Sequence, residues 1–200
     1  MRMKVLACSM VAALGLLGSV TAAPAVSESA NRDPASVWSY DDAARDQRPT
    51  VDVLSTELDL DIKGYYRIRV HGRDFIKNKT DFLRLFFDTD RADNGPEFRF
   101  GWYMGRNPGR PVGQTHLKRV DGWETPNTPQ HFCTKMGHQV NYAKDVLTAL
   151  IPRHCLGHPD QLRWSGFVAS VTSWNPETAR ITGYFDYFPA HNDFPALWVG

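Results

Sequence analysis

The sequence predicts an all-β protein, an antiparallel two-sheet β-sandwich of jelly-roll-like form with about nine strands and one disulfide. Two observations predict the sandwich. Beyond residue 50, Gly, Pro, Asn and Asp separate short runs in which apolar and polar residues alternate, which is typical of half-buried strands joined by turns. The same region contains neither an internal repeat nor a long amphipathic helix. We therefore expect the apolar residues of this region to be buried between two packed sheets.

The first 25 residues are predicted to be a secretory signal peptide. Arg2 and Lys4 precede an apolar stretch over residues 5–17, and small residues follow it, which is the order of such a leader. The small residues favour cleavage after Ala22 or Ala25. The apolar stretch is shorter than the roughly 20 residues of a membrane-spanning helix. We therefore expect a secreted protein with no transmembrane segment in the mature chain.

The mature chain is predicted to be a polar tail followed by a single domain. Residues 26–50 are polar and have no sustained period, so we expect a tail that Trp38 pins to the domain. Residues 51–200 have a length that suits one hydrophobic core. With 23 Lys and Arg against 22 Asp and Glu in the full chain, no excess charge favours nucleic acid or a membrane surface. We expect a monomer.

The alternation places the strands in order along the domain. The predicted strands cover residues 50–62, 65–71, 82–88, 97–104, 115–120, 132–142, 145–151, 163–174 and 181–187. Successive side chains of a strand point to opposite faces, so the more apolar set in a run marks the core face. The clearest core-facing residues are Tyr66, Ile68, Val70, Leu83, Leu85, Phe87, Phe98, Phe100, Trp102 and Met104.

Two cysteines remain once the leader, which contains Cys8, is removed. An even number of cysteines in an exported chain predicts a disulfide, here between Cys133 and Cys155. Three His residues lie beside them in the segments HFC and HCLGH, which leaves a metal site as the alternative. The spacing matches no familiar zinc pattern.

Several segments resemble a group of secreted, uncharacterised bacterial β-sandwich proteins, whose fold is similar to DOMON domains and to family-nine carbohydrate-binding modules. The most specific segments are DTD with GPEFR and, further on, PRHCLG. The resemblance covers residues 35–200 and implies a jelly-roll-like sandwich with no established activity. DOMON domains bind haem or sugars, and family-nine modules bind sugars between aromatic side chains. Their ligand residues do not map individually onto this sequence.

The stretch DTDRADNGPEF is a candidate metal loop. Asp88, Asp90, Asp93, Asn94 and Glu97 offer the oxygen ligands that calcium prefers. Their spacing does not match an EF-hand. The alternative is a hairpin turn in which the Asp and Asn side chains accept hydrogen bonds from backbone N–H groups. A structural calcium is the one cofactor that the sequence suggests.

A second candidate site follows if the strands over residues 65–71, 82–88 and 97–104 are neighbours in a meander. Their outer faces then form one surface on which Arg side chains alternate with aromatic ones, a combination that suits an acidic polysaccharide. The predicted ligand-binding residues are Tyr65, Arg67, Arg69, Arg84, Arg99 and Tyr103, with Phe82 and Phe86 among them. The alternative is a solvated sheet face on which Arg stems cover aromatic surface.

Three tryptophans are further candidates. Trp123, Trp164 and Trp174 lie near turns or on one strand face, where the alternatives are a sugar platform, half-buried core residues or loop anchors.

The sequence favours a non-catalytic function. It contains no familiar nucleophile, metalloprotease, phosphate-binding or dinucleotide motif, and we predict no catalytic residues. The first hypothesis is a secreted binding protein for a carbohydrate or cell-envelope glycan. The alternatives are a secreted hydrolase that uses scattered carboxylates and His, and an extracellular protein-interaction or structural protein.

Overall fold

Two antiparallel β-sheets make up the described part of the chain. The computed structural model describes residues 37–43, 45–60, 62–93, 95–105, 112–123, 130–131, 133–175, 177–178, 180–196 and 198–199. The predicted signal peptide, Asn94 of the predicted metal loop and the side chain of Trp174 lie outside the described residues. The two-sheet arrangement confirms the predicted β-sandwich. Within these residues, no helix has the length and apolar character needed to cross a membrane.

Eleven strands form in the described residues, and most match the predicted ones closely. They are β1 (Val37–Asp41), β2 (Val53–Asp59), β3 (Tyr65–Gly72), β4 (Phe82–Asp88), β5 (Phe98–Tyr103), β6 (Thr115–Arg119), β7 (Gln130–His131), β8 (Gly137–Asn141), β9 (Val146–Pro152), β10 (Arg163–Asn175) and β11 (Arg180–Phe188). Sheet A has the order β1-β2-β3-β9-β8, and sheet B has the order β11-β10-β4-β5-β6-β7. A single 3-10 turn, Arg153–Leu156, follows β9.

Strand β1 lies in the segment that was predicted to be a polar tail. It pairs with β2 from Val37 opposite Asp59 to Asp41 opposite Ser55. Trp38 is half-buried and packs against the core, as expected for a residue that pins this segment. Pairing with β2 stabilises β1, so the local sequence pattern did not predict this strand. Residues 37–41 therefore belong to the sandwich.

The predicted meander of β3, β4 and β5 is wrong. β3 pairs with β2 and β9 in sheet A, whereas β4 pairs with β10 and β5 in sheet B. The connection over residues 73–81 crosses between the sheets, and its Phe75 is buried in the core. Both sheets of a sandwich require strands with one apolar face, so alternation alone does not reveal which sheet a strand joins.

The core between the sheets contains all of the side chains that alternation assigned to it. Each of the ten predicted core-facing residues is buried. Trp164 of β10 is fully buried among them, and its Nε1–H donates a hydrogen bond of 2.9 Å to Thr56 Oγ1 of β2. Because β10 belongs to sheet B and β2 to sheet A, this bond joins the two layers. Trp164 is therefore a core residue and not part of a sugar platform.

A second apolar cluster lies on the outer face of sheet B. Its buried members are Phe82, Phe86, Tyr103, Phe167, Ala169 and Phe194, and Trp123, Phe185 and Tyr187 pack against them. Phe194 and Trp123 come from loops, so the chain itself covers part of this face. These loop residues cover the face incompletely, and a pocket remains open on it.

Candidate ligand-binding pocket

A pocket of about 330 Å³ opens on the outer face of sheet B. We call it the outer-face pocket. Its aromatic lining residues are Phe82, Phe86, Trp123, Phe167, Phe185 and Tyr187. Its polar lining includes Arg84, Ser165, His191 and Asn192. The volume lies at the lower end of the range for small-molecule sites, which are typically apolar with a few polar groups.

Strand register explains why these side chains converge. Phe167 of β10 lies opposite Arg84 of β4 on one side and opposite Tyr187 of β11 on the other. Directly opposed residues of antiparallel strands point to the same face. Since side chains alternate, Phe82 and Phe86 share this face with Arg84.

The rim of the outer-face pocket is formed by the segment after β11 and the loop after β6. His191 contacts Tyr187 edge to face, with ring centroids 4.5 Å apart. Trp123 packs on Phe86 at 5.1 Å and on Phe194 at 4.6 Å. Aromatic contacts of this kind contribute about 0.5–1.5 kcal/mol each beyond the burial of their surface. They hold Trp123 at the pocket edge.

Arg84 supplies the positive charge of the outer-face pocket. Its guanidinium carbon lies 4.9 Å from the ring centroid of Phe82 and 5.1 Å from that of Phe167, which are cation–π distances. No carboxylate among the described residues forms a salt bridge with Arg84. Burial, together with the neighbouring charge of Arg99, lowers the pKa of Arg84 to about 10. The side chain is therefore cationic at neutral pH.

The predicted Arg and aromatic surface is divided between opposite sheets. Arg84, Arg99 and Tyr103 belong to sheet B, whereas Tyr65, Arg67 and Arg69 belong to β3 in sheet A. A single surface with all six residues would require the meander, so this prediction is corrected. The members in sheet B remain next to the outer-face pocket.

The arginines of sheet A have carboxylate partners. Arg67 pairs with the buried Asp59, and Arg69 pairs with Glu57 at 2.7 Å. These partners lie directly opposite on β2. The contrast with Arg84 distinguishes arginines that stabilise a sheet from one that faces a pocket.

The predicted metal loop uses several of its side chains in contacts within the protein. Asp88 is fully buried and forms a salt bridge of 2.7 Å with Arg163. Glu97 accepts a hydrogen bond of 3.0 Å from Thr89 Oγ1, and Asp90 accepts one of 2.9 Å from the Ala92 N–H. These bonds are typical of a turn. Calcium binding at this loop stays a prediction.

A different group of carboxylates comes together near β2 and β11. Oxygens of Asp46, Asp52 and Asp186 lie within 4.8 Å of one another, close enough to hold a metal ion. Asp52 already pairs with Arg73 at 3.1 Å, and Asp186 accepts a hydrogen bond of 2.6 Å from the Val53 N–H. Asp186 is buried, and this hydrogen bond connects β11 of sheet B to β2 of sheet A.

Cys133 and Cys155 form the predicted disulfide, with Cα atoms 5.6 Å apart. This confirms the cross-link and removes both thiols as metal ligands. His154 remains close, with its Nε2 3.4 Å from Cys155 Sγ. The bridge joins the segment before β8 to the 3-10 turn after β9.

Reduction of the disulfide is expected to lower the free energy of unfolding by about 3 kcal/mol. The bridge closes a loop with a sequence separation of 22 residues, and loops of this length restrict the unfolded chain by about that amount. Thermal unfolding with and without a reductant measures the loss. The C133S/C155S double variant is the control, because its stability must not respond to reductant. Equal stability of the oxidised and reduced wild type would contradict the prediction.

The described residues form an antiparallel β-sandwich with an aromatic pocket on the outer face of sheet B. Comparison with protein-family models, with curated proteins and with solved structures finds no match. The resemblance to DOMON domains and family-nine modules therefore stays a prediction. The outer-face pocket is therefore the feature of the molecule that bears on function.

Proposed function

We propose that this chain is a secreted, non-catalytic β-sandwich that binds an extracellular glycan in the outer-face pocket. The observation that carries the proposal is the aromatic lining. Six aromatic side chains from three strands and one loop surround the pocket. Aromatic rings offer flat apolar faces at which the C–H groups of a sugar ring pack, and their positions here are held by mutual contacts.

Two features support a function outside the cytosol. The first residues have the order of basic, apolar and small residues that is typical of a secretory leader. The Cys133–Cys155 disulfide is a cross-link that persists in oxidising compartments. An exported protein with a pocket for sugars meets its ligand among the polysaccharides outside the cell.

The composition of the pocket favours binding over hydrolysis. Among the described residues that line it, none is Asp or Glu. Glycoside hydrolases usually need two carboxyl groups beside the scissile bond. The lining supplies aromatic surface and one cation in their place.

The proposal predicts that Trp123→Ala weakens retention on glycans by about tenfold, the factor that corresponds to loss of one strong aromatic contact. Trp123 is half-buried at the pocket edge, so its removal opens the lining without exposing the core. The measurement is depletion of the mature protein from solution by a panel of insoluble neutral and acidic polysaccharides.

Tyr65→Ala is the matched control for this experiment. Tyr65 is a half-buried aromatic residue on β3 of sheet A, outside the outer-face pocket. Retention of the Tyr65 variant should equal that of the wild type. Loss of retention in both variants, or retention of the wild type on none of the polysaccharides, would overturn the proposal.

A further inference from the structure

Two buried polar atoms of the outer-face pocket have no hydrogen-bond partner in the protein. They are the Nε of Arg84 and the Oγ of Ser165. Ser165 is only 1% exposed, and both residues line the pocket. Buried polar atoms in folded proteins are almost always hydrogen-bonded, so each exception requires an explanation. These two atoms therefore give a molecule in the pocket two polar groups to which it can bond.

Strand register places Arg84 and Ser165 close together. Ser165 lies opposite Phe86, and Phe167 lies opposite Arg84 on the paired strands β10 and β4. The two residues are therefore diagonal neighbours on one sheet face, about 7–8 Å apart, with their Cβ atoms somewhat closer. The substituents of one sugar ring are able to reach both side chains from a position between them.

The positive charge of the pocket favours a ligand that carries an anionic group. A cation that has lost much of its hydration is normally paired with an anion. The rings of Phe82 and Phe167 beside Arg84 offset only part of that loss. Arg99 lies on the same face and adds positive charge, which itself lowers the pKa of Arg84. An anionic group on the ligand would neutralise this excess and accept hydrogen bonds from the guanidinium.

We infer that the outer-face pocket binds an acidic sugar, with Arg84 holding its anionic group and Ser165 bonding to a neighbouring hydroxyl. The anionic group is a carboxylate, as in a uronic acid, or a sulfate ester. This inference rests on the proposed glycan-binding function and names the class of glycan. Arg84 decides specificity for the charge, whereas Ser165 contributes to binding of any sugar in the pocket.

The experiment is calorimetric titration of the mature protein with three oligosaccharides of equal length: an oligogalacturonate, a sulfated galactan oligosaccharide and a cello-oligosaccharide. The wild type is expected to bind one of the two acidic probes at least tenfold more tightly than the neutral one, and the preferred probe identifies the anionic group. Arg84→Met keeps the apolar stem and removes the charge. It should weaken binding of that acidic probe by about 100-fold, the value of a charge-assisted hydrogen bond, so that the preference for the acidic probe over the neutral one is lost.

Ser165→Ala tests the second contact. Because the Oγ has no partner in the protein, its removal should leave the melting temperature unchanged or slightly raised. Affinity for every probe that binds should fall by about fivefold. A merely structural serine would give the opposite result, a lower melting temperature with unchanged affinity.

Arg69→Met is the matched control, since Arg69 carries the same charge on the outer face of sheet A and pairs with Glu57. Equal loss of affinity in the Arg69 and Arg84 variants would overturn the inference, because general attraction would then explain the binding. Binding of the neutral probe as tightly as the acidic ones, unaffected by Arg84→Met, would overturn the inference and leave the glycan-binding function intact. Absence of binding to all three probes would overturn both.

Discussion

Replacing Trp164 by Ala is expected to lower the free energy of unfolding by about 3–5 kcal/mol, the usual cost of truncating a fully buried aromatic side chain. Trp164 is 0% exposed. Its ring lies 5.2 Å from that of Tyr40, and its Nε1–H is bonded to Thr56 across the sandwich. The melting temperature should fall by about 10 °C or more. Urea unfolding followed by circular dichroism measures the change.

Trp164→Phe separates packing from hydrogen bonding. It retains a ring but leaves the fully buried Thr56 without the Nε1–H donor, so we expect a smaller loss of about 1–3 kcal/mol. Trp123→Ala provides the comparison with a half-buried tryptophan, and it should affect glycan retention more than stability. A Trp164→Ala protein within 1 kcal/mol of the wild type would show that the bond and ring do not join the two sheets.

Much of the fold was predictable because local alternation determines which face of a strand is buried. Leu83, Leu85 and Phe87 of β4 are buried in the main core, as their spacing indicated. The sheet to which a strand belongs depends on contacts far along the chain, such as Arg84 opposite Phe167. No local pattern contains that information, and the meander prediction failed for this reason.

The same physical limit applies to the candidate site. Arg84 was identified from its place between Phe82 and Phe86, and Trp123 from its place near a turn. Ser165, Phe167 and Tyr187 were missed because they lie about 80–100 residues away and reach the pocket only through the pairing of β4, β10 and β11. The sequence of β10 contained one indication of the pocket face, because its residues are apolar on both faces. A strand of this kind is covered on both faces.

The arginines on the two outer faces differ in the groups that surround them. On sheet A, Arg67 and Arg69 are matched by carboxylates on the neighbouring strand. On sheet B, Arg84 is held among aromatic rings with no such match in the described residues. A desolvated cation destabilises a protein unless it is paired, and the proposed anionic ligand would supply that partner.

The stability of the protein is expected to fall as the pH rises from about 4 to about 7, because of the carboxyl group of Asp186. Burial, opposed by the hydrogen bond from the Val53 N–H and assisted by the nearby Asp42, Asp46 and Asp52, raises its pKa from 3.8 to about 7. Burial also raises the pKa of Asp42 to about 6. Within the cluster, Asp52 forms a salt bridge with Arg73.

The direction follows from proton binding in the two states. Below pH 4, Asp186 is protonated whether the chain is folded or unfolded. Between pH 4 and pH 7 the folded state retains the proton and the unfolded state loses it, so each increase in pH favours unfolding. Above pH 7 the carboxylate is charged in both states. Burial of that charge then lowers the free energy of unfolding by its full amount, up to about 4 kcal/mol. The melting temperature should be about 10 °C higher at pH 5 than at pH 8.

Asp186→Asn isolates this effect. The amide oxygen is still able to accept the hydrogen bond from Val53 N–H, but the side chain does not ionise. We expect the variant to have the stability of the wild type near pH 4 and to exceed it at pH 8, so that most of the pH dependence disappears. Asp160→Asn, which changes an exposed carboxyl outside the cluster, should preserve the wild-type profile. If Asp186→Asn keeps the wild-type slope, the cluster does not control stability, and the difference between pH 5 and pH 8 must come from other groups.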